Sequence, residues 1–122
     1  MYKLLIVDDE QIEREGMAHF IQWDKYDIQL CGTAWNGADA LGKIQKDVPD
    51  IVLTDIKMPV MDGLEATRRI RLKGGTLPII ALTANAYDSD RDKAFEAGCD
   101  DYMAKPIMAP ALREMIEKYF GE

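Results

Sequence analysis

The chain has 122 residues, 48% of them hydrophobic and 30% charged, with a net charge of −7. That is one domain's worth of sequence, long enough to bury about two-thirds of the surface its unfolded form exposes, and no apolar run approaches the roughly 18 residues that span a bilayer. The negative balance removes the attraction to a phosphate backbone that direct nucleic-acid binding needs. Asp8, Asp9 and Glu10 cut the first apolar stretch short of a signal-peptide pattern, so the expectation is a cytoplasmic protein with neither membrane nor nucleic acid as partner.

Residues 3–7 (KLLIV) read as a strand that runs straight into Asp8, Asp9 and Glu10. Ile12, Gly16 or Met17, Phe20 and Trp23 recur at helical spacing and predict a first helix to about Trp23, with Glu13, Arg14 and the sole histidine, His19, on its polar face. A loop over 24–27 leads to an edge-leaning strand at 28–34. Asn36-Gly37 turns the chain into a second helix, carrying Ala38, Leu41 and Ile44 and ending before Pro49. Ile51, Val52 and Leu53 form a short apolar run, which suits a strand covered on both faces in mid-sheet, and Asp55 stands at its end. After Asp62-Gly63, where the glycine is expected to supply a turn, Leu64, Thr67, Ile70 and Arg71 predict a third helix stopped by Gly74-Gly75. A further apolar strand at 78–82 ends at Thr83, and a fourth helix over 89–97 is capped by Gly98. A short strand at 100–103 leads to Lys105-Pro106. Pro110 opens a closing helix with Leu112, Met115, Ile116 and Tyr119 or Phe120 as its apolar stripe.

Five strands alternating with five helices predict a single domain over 1–122, an α/β fold with one doubly wound, five-stranded parallel sheet. Right-handed crossovers leave few strand orders. Periodicity alone leaves more than one open; the flavodoxin-like order 2-1-3-4-5 is adopted because it puts the first strand beside the third. Ligands in such sheets bind at the carboxyl ends of the strands. The order therefore delivers Asp8, Asp9 and Asp55 to one crevice, with Thr83 on the adjoining strand and Lys105 after the last. Cys31 and Cys99 fall at opposite edges of the sheet and are expected as free thiols.

Three carboxylates a few ångströms apart repel one another unless something neutralises them. A divalent cation does so, and an open, all-oxygen site without histidine or cysteine suits Mg²⁺. A cation beside a carboxylate and a lysine is a seat for a phosphoryl group: Lys105 balances its charge, Thr83 donates a hydrogen bond, and Asp55 attacks in line to form an aspartyl phosphate.

Ile6-Val7-Asp8-Asp9-Glu10, Asp55 followed by Met58-Pro59-Val60-Met61-Asp62-Gly63, Ala81-Leu82-Thr83-Ala84, and Asp101-Tyr102-Met103-Ala104-Lys105-Pro106 occur in that order and spacing. Over essentially its whole length the chain resembles the receiver domain of two-component response regulators. The resemblance implies that Asp55 is phosphorylated from a phosphohistidine of a sensor histidine kinase or phosphotransfer protein, or from a small phosphodonor. It implies Mg²⁺ held directly by Asp9, Asp55 and the backbone carbonyl of Lys57, with Asp8 acting through water. It also implies Thr83 and Tyr102 as a coupled switch, a cis bond between Lys105 and Pro106, and an output face that an effector or a second copy reads.

The resemblance is two-sided. Up to about Lys57 the chain is similar to receivers of AraC-linked regulators, and from Asp62 onward to receivers fused to hybrid histidine kinases, the pattern of a chimera joined near the middle. The segment 107–111 lacks the Ser, Thr or Asp usual before the last helix, a cap whose loss costs about 1 kcal/mol. Two competing functions stand beside the switch. One is an aspartyl-phosphate phosphatase, disfavoured because Lys57 occupies the place of the second carboxylate such an enzyme needs; the other is a receiver-like scaffold that is never phosphorylated.

Overall fold

The computed structural model describes residues 2–56, 61–83, 88–105 and 107–120. Strand β1 (Tyr2–Val7) pairs in parallel with β2 (Ile28–Ala34) on one side and β3 (Ile51–Asp55) on the other; β4 (Ile79–Thr83) follows β3, and β5 (Asp101–Ala104) closes the far edge. The order is β2-β1-β3-β4-β5, as the convergence of the acids requires. Helices α1 (Gln11–Phe20), α2 (Gly37–Lys46), α3 (Gly63–Leu72) and α4 (Asp88–Ala97) make the crossovers, and α5 (Ala109–Phe120) follows the last strand and packs back on the sheet.

Alternation along the strands divides the core into two layers. Leu4, Ile6, Leu53, Ile80 and Leu82 face Met17 of α1 and Leu112 and Met115 of α5. Leu5, Val7, Val52, Ile79 and Ala81 face Ile44 of α2, Ile70 of α3 and Ala94 of α4. Every residue of β3 and β4 is buried, which is what their unbroken apolar runs mean.

The first helix departs from its expected course. It ends at Phe20, and Trp23–Tyr26 form a separate 3-10 turn closed by Asp27 in a left-handed conformation (φ 61°). Trp23 is buried from that turn, where its indole N–H finds the carbonyl of Met17 at 3.1 Å. Ile12 does not join the apolar stripe: it is 87% exposed in the first turn of α1. On α2, Ala40 takes the inward place expected of Ala38, which is exposed. His19 is exposed, and both cysteines are free.

Gly63 answers a different need from the one expected. Its φ is not positive; instead a Cβ there would lie 2.3 Å from the Asp55 carbonyl oxygen and 2.7 Å from Thr54 Oγ1. Only glycine lets the start of α3 press against the end of β3. Gly98 supplies the positive φ (109°) that ends α4.

Candidate functional site

The strand register places the polar groups. Val7 pairs with Thr54 and Asp55 with Leu82, so Asp8 and Asp55 leave neighbouring strands at the same level. Thr83 pairs with Ala104, and the Lys105 N–H donates to the Thr83 carbonyl at 2.8 Å, which fixes where the lysine starts. Asp8 is held by its own backbone: its N–H reaches the Ala34 carbonyl, and its Oδ1 accepts from the Glu10 N–H at 3.0 Å. Asp62 caps α3 by accepting from the Glu65 N–H at 2.9 Å.

Asp8, Asp9 and Asp55 each offer a carboxylate oxygen, and these oxygens lie within 4.8 Å of one another. Asp8 is fully buried, and the Asp55 side chain is 13% exposed. Lys105 enters from the opposite side of the crevice with its Nζ 3.2 Å from Asp8 and 3.3 Å from Asp55. Thr83 is buried on the adjoining strand. Tyr102 pairs with Ala81, two residues before Thr83, so Tyr102 and Thr83 share one sheet face on adjacent strands. The Tyr102 ring is half-buried and meets Phe95 of α4 edge-on at 6.3 Å. Lys57 lies outside the described residues, as does Pro106 and with it the peptide bond expected to be cis.

Burial pushes the Asp8 carboxyl up to about 6, against the Glu10 N–H and Lys105, which pull it down; the Asp55 charge raises it further. Burial draws Lys105 down, but its hydrogen bond to Glu13 and the charges of Asp55 and Asp8 outweigh this and leave it above the usual lysine range. The donor set is hard oxygen throughout, and burial raises the cost of keeping one of its acids charged. These are the features of a site that a small hard divalent cation fits.

Two residues at this site carry no sequence signal of a role there. Glu13 Oε2 lies 2.6 Å from Lys105 Nζ, the shortest of the lysine's three carboxylate contacts, and Arg14 Nη1 donates to the Asp8 carbonyl at 2.9 Å. Helical periodicity puts both on the polar face of α1 and says nothing of a partner 92 residues away.

A parallel 2-1-3-4-5 sheet with acids at two strand ends and a lysine beyond a third is a flavodoxin-like architecture whose crevice at the carboxyl ends of the strands is lined by charge. The sequence profile described as Response regulator receiver domain matches residues 4–117, and the chain belongs to that family, the receiver domains of two-component systems. It is 40% identical over 116 residues to the sensor histidine kinase RcsC of Salmonella typhi, covering 95% of this chain and 12% of that one. It is 39% identical over 116 residues to the response regulator MprA of Mycolicibacterium vanbaalenii, covering 95% and 48%. The chain thus spans at most about half the length of these relatives. Among solved structures it is similar to the receiver domain of the sensor histidine kinase PA1611 from Pseudomonas aeruginosa PAO1, which has a magnesium ion coordinated in its active-site cleft (TM-score 0.84, 31% identity, 99% of this chain and 98% of that one). It is also similar to a chain in the co-crystal structure of the Saccharomyces cerevisiae phosphotransfer protein Ypd1 with the receiver domain of the response regulator Ssk1 (TM-score 0.84, 29% identity, 97% and 88%). Among the described residues, no helix is long and apolar enough to cross a membrane.

Proposed function

We propose that the chain is, over 1–122, a cytoplasmic receiver whose Asp55 accepts a phosphoryl group from the phosphohistidine of a sensor kinase or phosphotransfer protein. The observation that carries this is the shared crevice: Asp55 stands beside Asp8 and Asp9 while Lys105 reaches both strand ends from β5. An Asp55 oxygen bonds to phosphorus as the bond from phosphorus to the donor's imidazole nitrogen breaks, and that nitrogen keeps the electron pair. Lys105 offers N–H donors to the phosphoryl oxygens, and Thr83 donates its hydroxyl. Asp9 and Asp55 would hold Mg²⁺ with the Lys57 carbonyl, and Asp8 would hold it through water; the ion supplies positive charge to the acids and to the transferred group.

Drawing the Thr83 hydroxyl toward the phosphoryl group vacates space on the face it shares with Tyr102, and the Tyr102 ring turns inward. The surface of α4, β5 and α5 changes with it and is read by an effector or by a second copy. The chain is a phosphoacceptor rather than a turnover enzyme, since Lys57 stands two residues past Asp55 where a phosphatase of this chemistry needs a carboxylate.

Incubation with Mg²⁺ and acetyl phosphate tests this by intact mass. The wild type gains one phosphoryl group and Asp55→Asn gains none. Sustained phosphate release from many esters would instead favour the phosphatase, and an unchanged mass the unphosphorylated scaffold.

A further inference from the structure

We infer that Glu13 is a latch on Lys105: it holds the lysine in the resting protein and competes for it with the incoming phosphoryl group. The inference rests on Asp55 being the phosphoacceptor and adds a positioning residue on α1 to that reaction.

A lysine ammonium has three N–H donors. Those of Lys105 face three carboxylates, Glu13 at 2.6 Å, Asp8 at 3.2 Å and Asp55 at 3.3 Å, so the resting lysine has no donor to spare. A phosphoryl oxygen arriving at Asp55 must take one. Asp8 is a poor candidate to give way, since it is fully buried and fixed by the Glu10 N–H, and turning it aside would strand a charge without water. Asp55 loses its charge on acylation and its donor passes to the phosphoryl group, whose further oxygens still call for a second one. Glu13 differs from both: it sits in the first turn of α1 with its side chain 42% exposed, so it can swing into solvent and be rehydrated. Its position also has an electrostatic consequence. A carboxylate and a phosphoryl dianion bound to the same ammonium repel each other, so Glu13 disfavours the phosphorylated state for as long as it stays engaged. The latch keeps Lys105 directed into the crevice when no phosphoryl group is present, at the expense of uptake.

The test compares wild type with Glu13→Gln and Glu13→Ala, both tolerated at an exposed helical position. The half-saturating concentration of beryllofluoride in Mg²⁺ is expected to fall about threefold in both variants, the size of a partly exposed charge interaction, and the initial rate with low acetyl phosphate to rise in step. In metal-free protein, reductive methylation of Lys105, followed by peptide mass spectrometry, is expected to speed up in both. A residue that only supported the fold would lower the melting temperature and slow phosphorylation instead. A wild type that is phosphorylated, with variants equal to it or slower, overturns the latch and leaves the phosphoacceptor reading standing. Failure of every form to take a phosphoryl group while Lys105 methylation still accelerates overturns the phosphoacceptor reading, and the latch loses its purpose with it.

Discussion

Asp8 is the residue at which folding and function pull hardest against each other. Its carboxyl has no exposure to water and titrates near 6 instead of 3.8, so between those values the folded protein binds more protons than the unfolded chain. Stability from this group is therefore greatest below the unfolded value and falls as pH rises through the folded one. Metal-free wild type should lose stability relative to Asp8→Asn between about pH 4 and 6, the difference between the two profiles changing by about 3 kcal/mol across that window. Urea titrations of the two proteins at several pH values measure this, and parallel pH profiles would contradict it. Glu13 has the opposite sign. Its hydrogen bond from Lys105 holds its carboxyl below the usual value of 4.5, so its contribution is present above that value and is lost as pH falls further.

Elements meet at two junctions where one residue decides the fit. At the top of the sheet, Gly63→Ala would place a methyl group 2.3 Å from the Asp55 carbonyl oxygen, so α3 or the end of β3 must shift. The expected destabilisation is about 1–3 kcal/mol by urea denaturation, with slower phosphorylation because Asp55 moves too. At the bottom, Arg71 of α3 donates to the carbonyls of Gly98, Gly75 and Leu77 and pairs with Asp100 at 2.7 Å, tying α3, the approach to β4, the end of α4 and the start of β5. Lysine keeps the charge but not the planar fork, so Arg71→Lys should cost about 2 kcal/mol, and an unchanged denaturation midpoint would remove Arg71 from that role.

The strands were legible because β3 and β4 are short continuous apolar runs bounded by Pro49, Pro78 and acidic or hydroxyl residues, too short for a buried helix and suited to a doubly covered strand. Asp8, Asp55 and Thr83 stand out for a related reason, since each directly follows or ends such a run, while Lys105 follows the short, mixed strand β5; the strand order brings all four to one end of the sheet. The amphipathic helices read less well. Ile12 looks like a core residue by spacing yet is exposed in the first turn of α1, and Glu13 looks like solvated surface yet meets a lysine from the far end of the chain. Periodicity reports which face of a helix is apolar; it does not report where along its length the helix stops covering the core.

Across the whole molecule, folding stability is coupled to occupancy of the crevice. A cation that binds only the folded form adds about 1.4 kcal/mol at ten times its dissociation constant. Mg²⁺ should therefore raise the melting temperature of wild type, chelation should reverse the rise, and Asp9→Asn should abolish most of it; equal melting curves with and without Mg²⁺ would argue against a cation in this site. The proposed function turns on one bond, an acyl phosphate formed at the end of β3. Borohydride reduction of protein treated with acetyl phosphate and Mg²⁺, followed by peptide sequencing, locates that bond by converting the modified aspartate to homoserine. Homoserine is expected at position 55 alone; homoserine at Asp8 or Asp9, or at no aspartate, would contradict Asp55 as the phosphoacceptor.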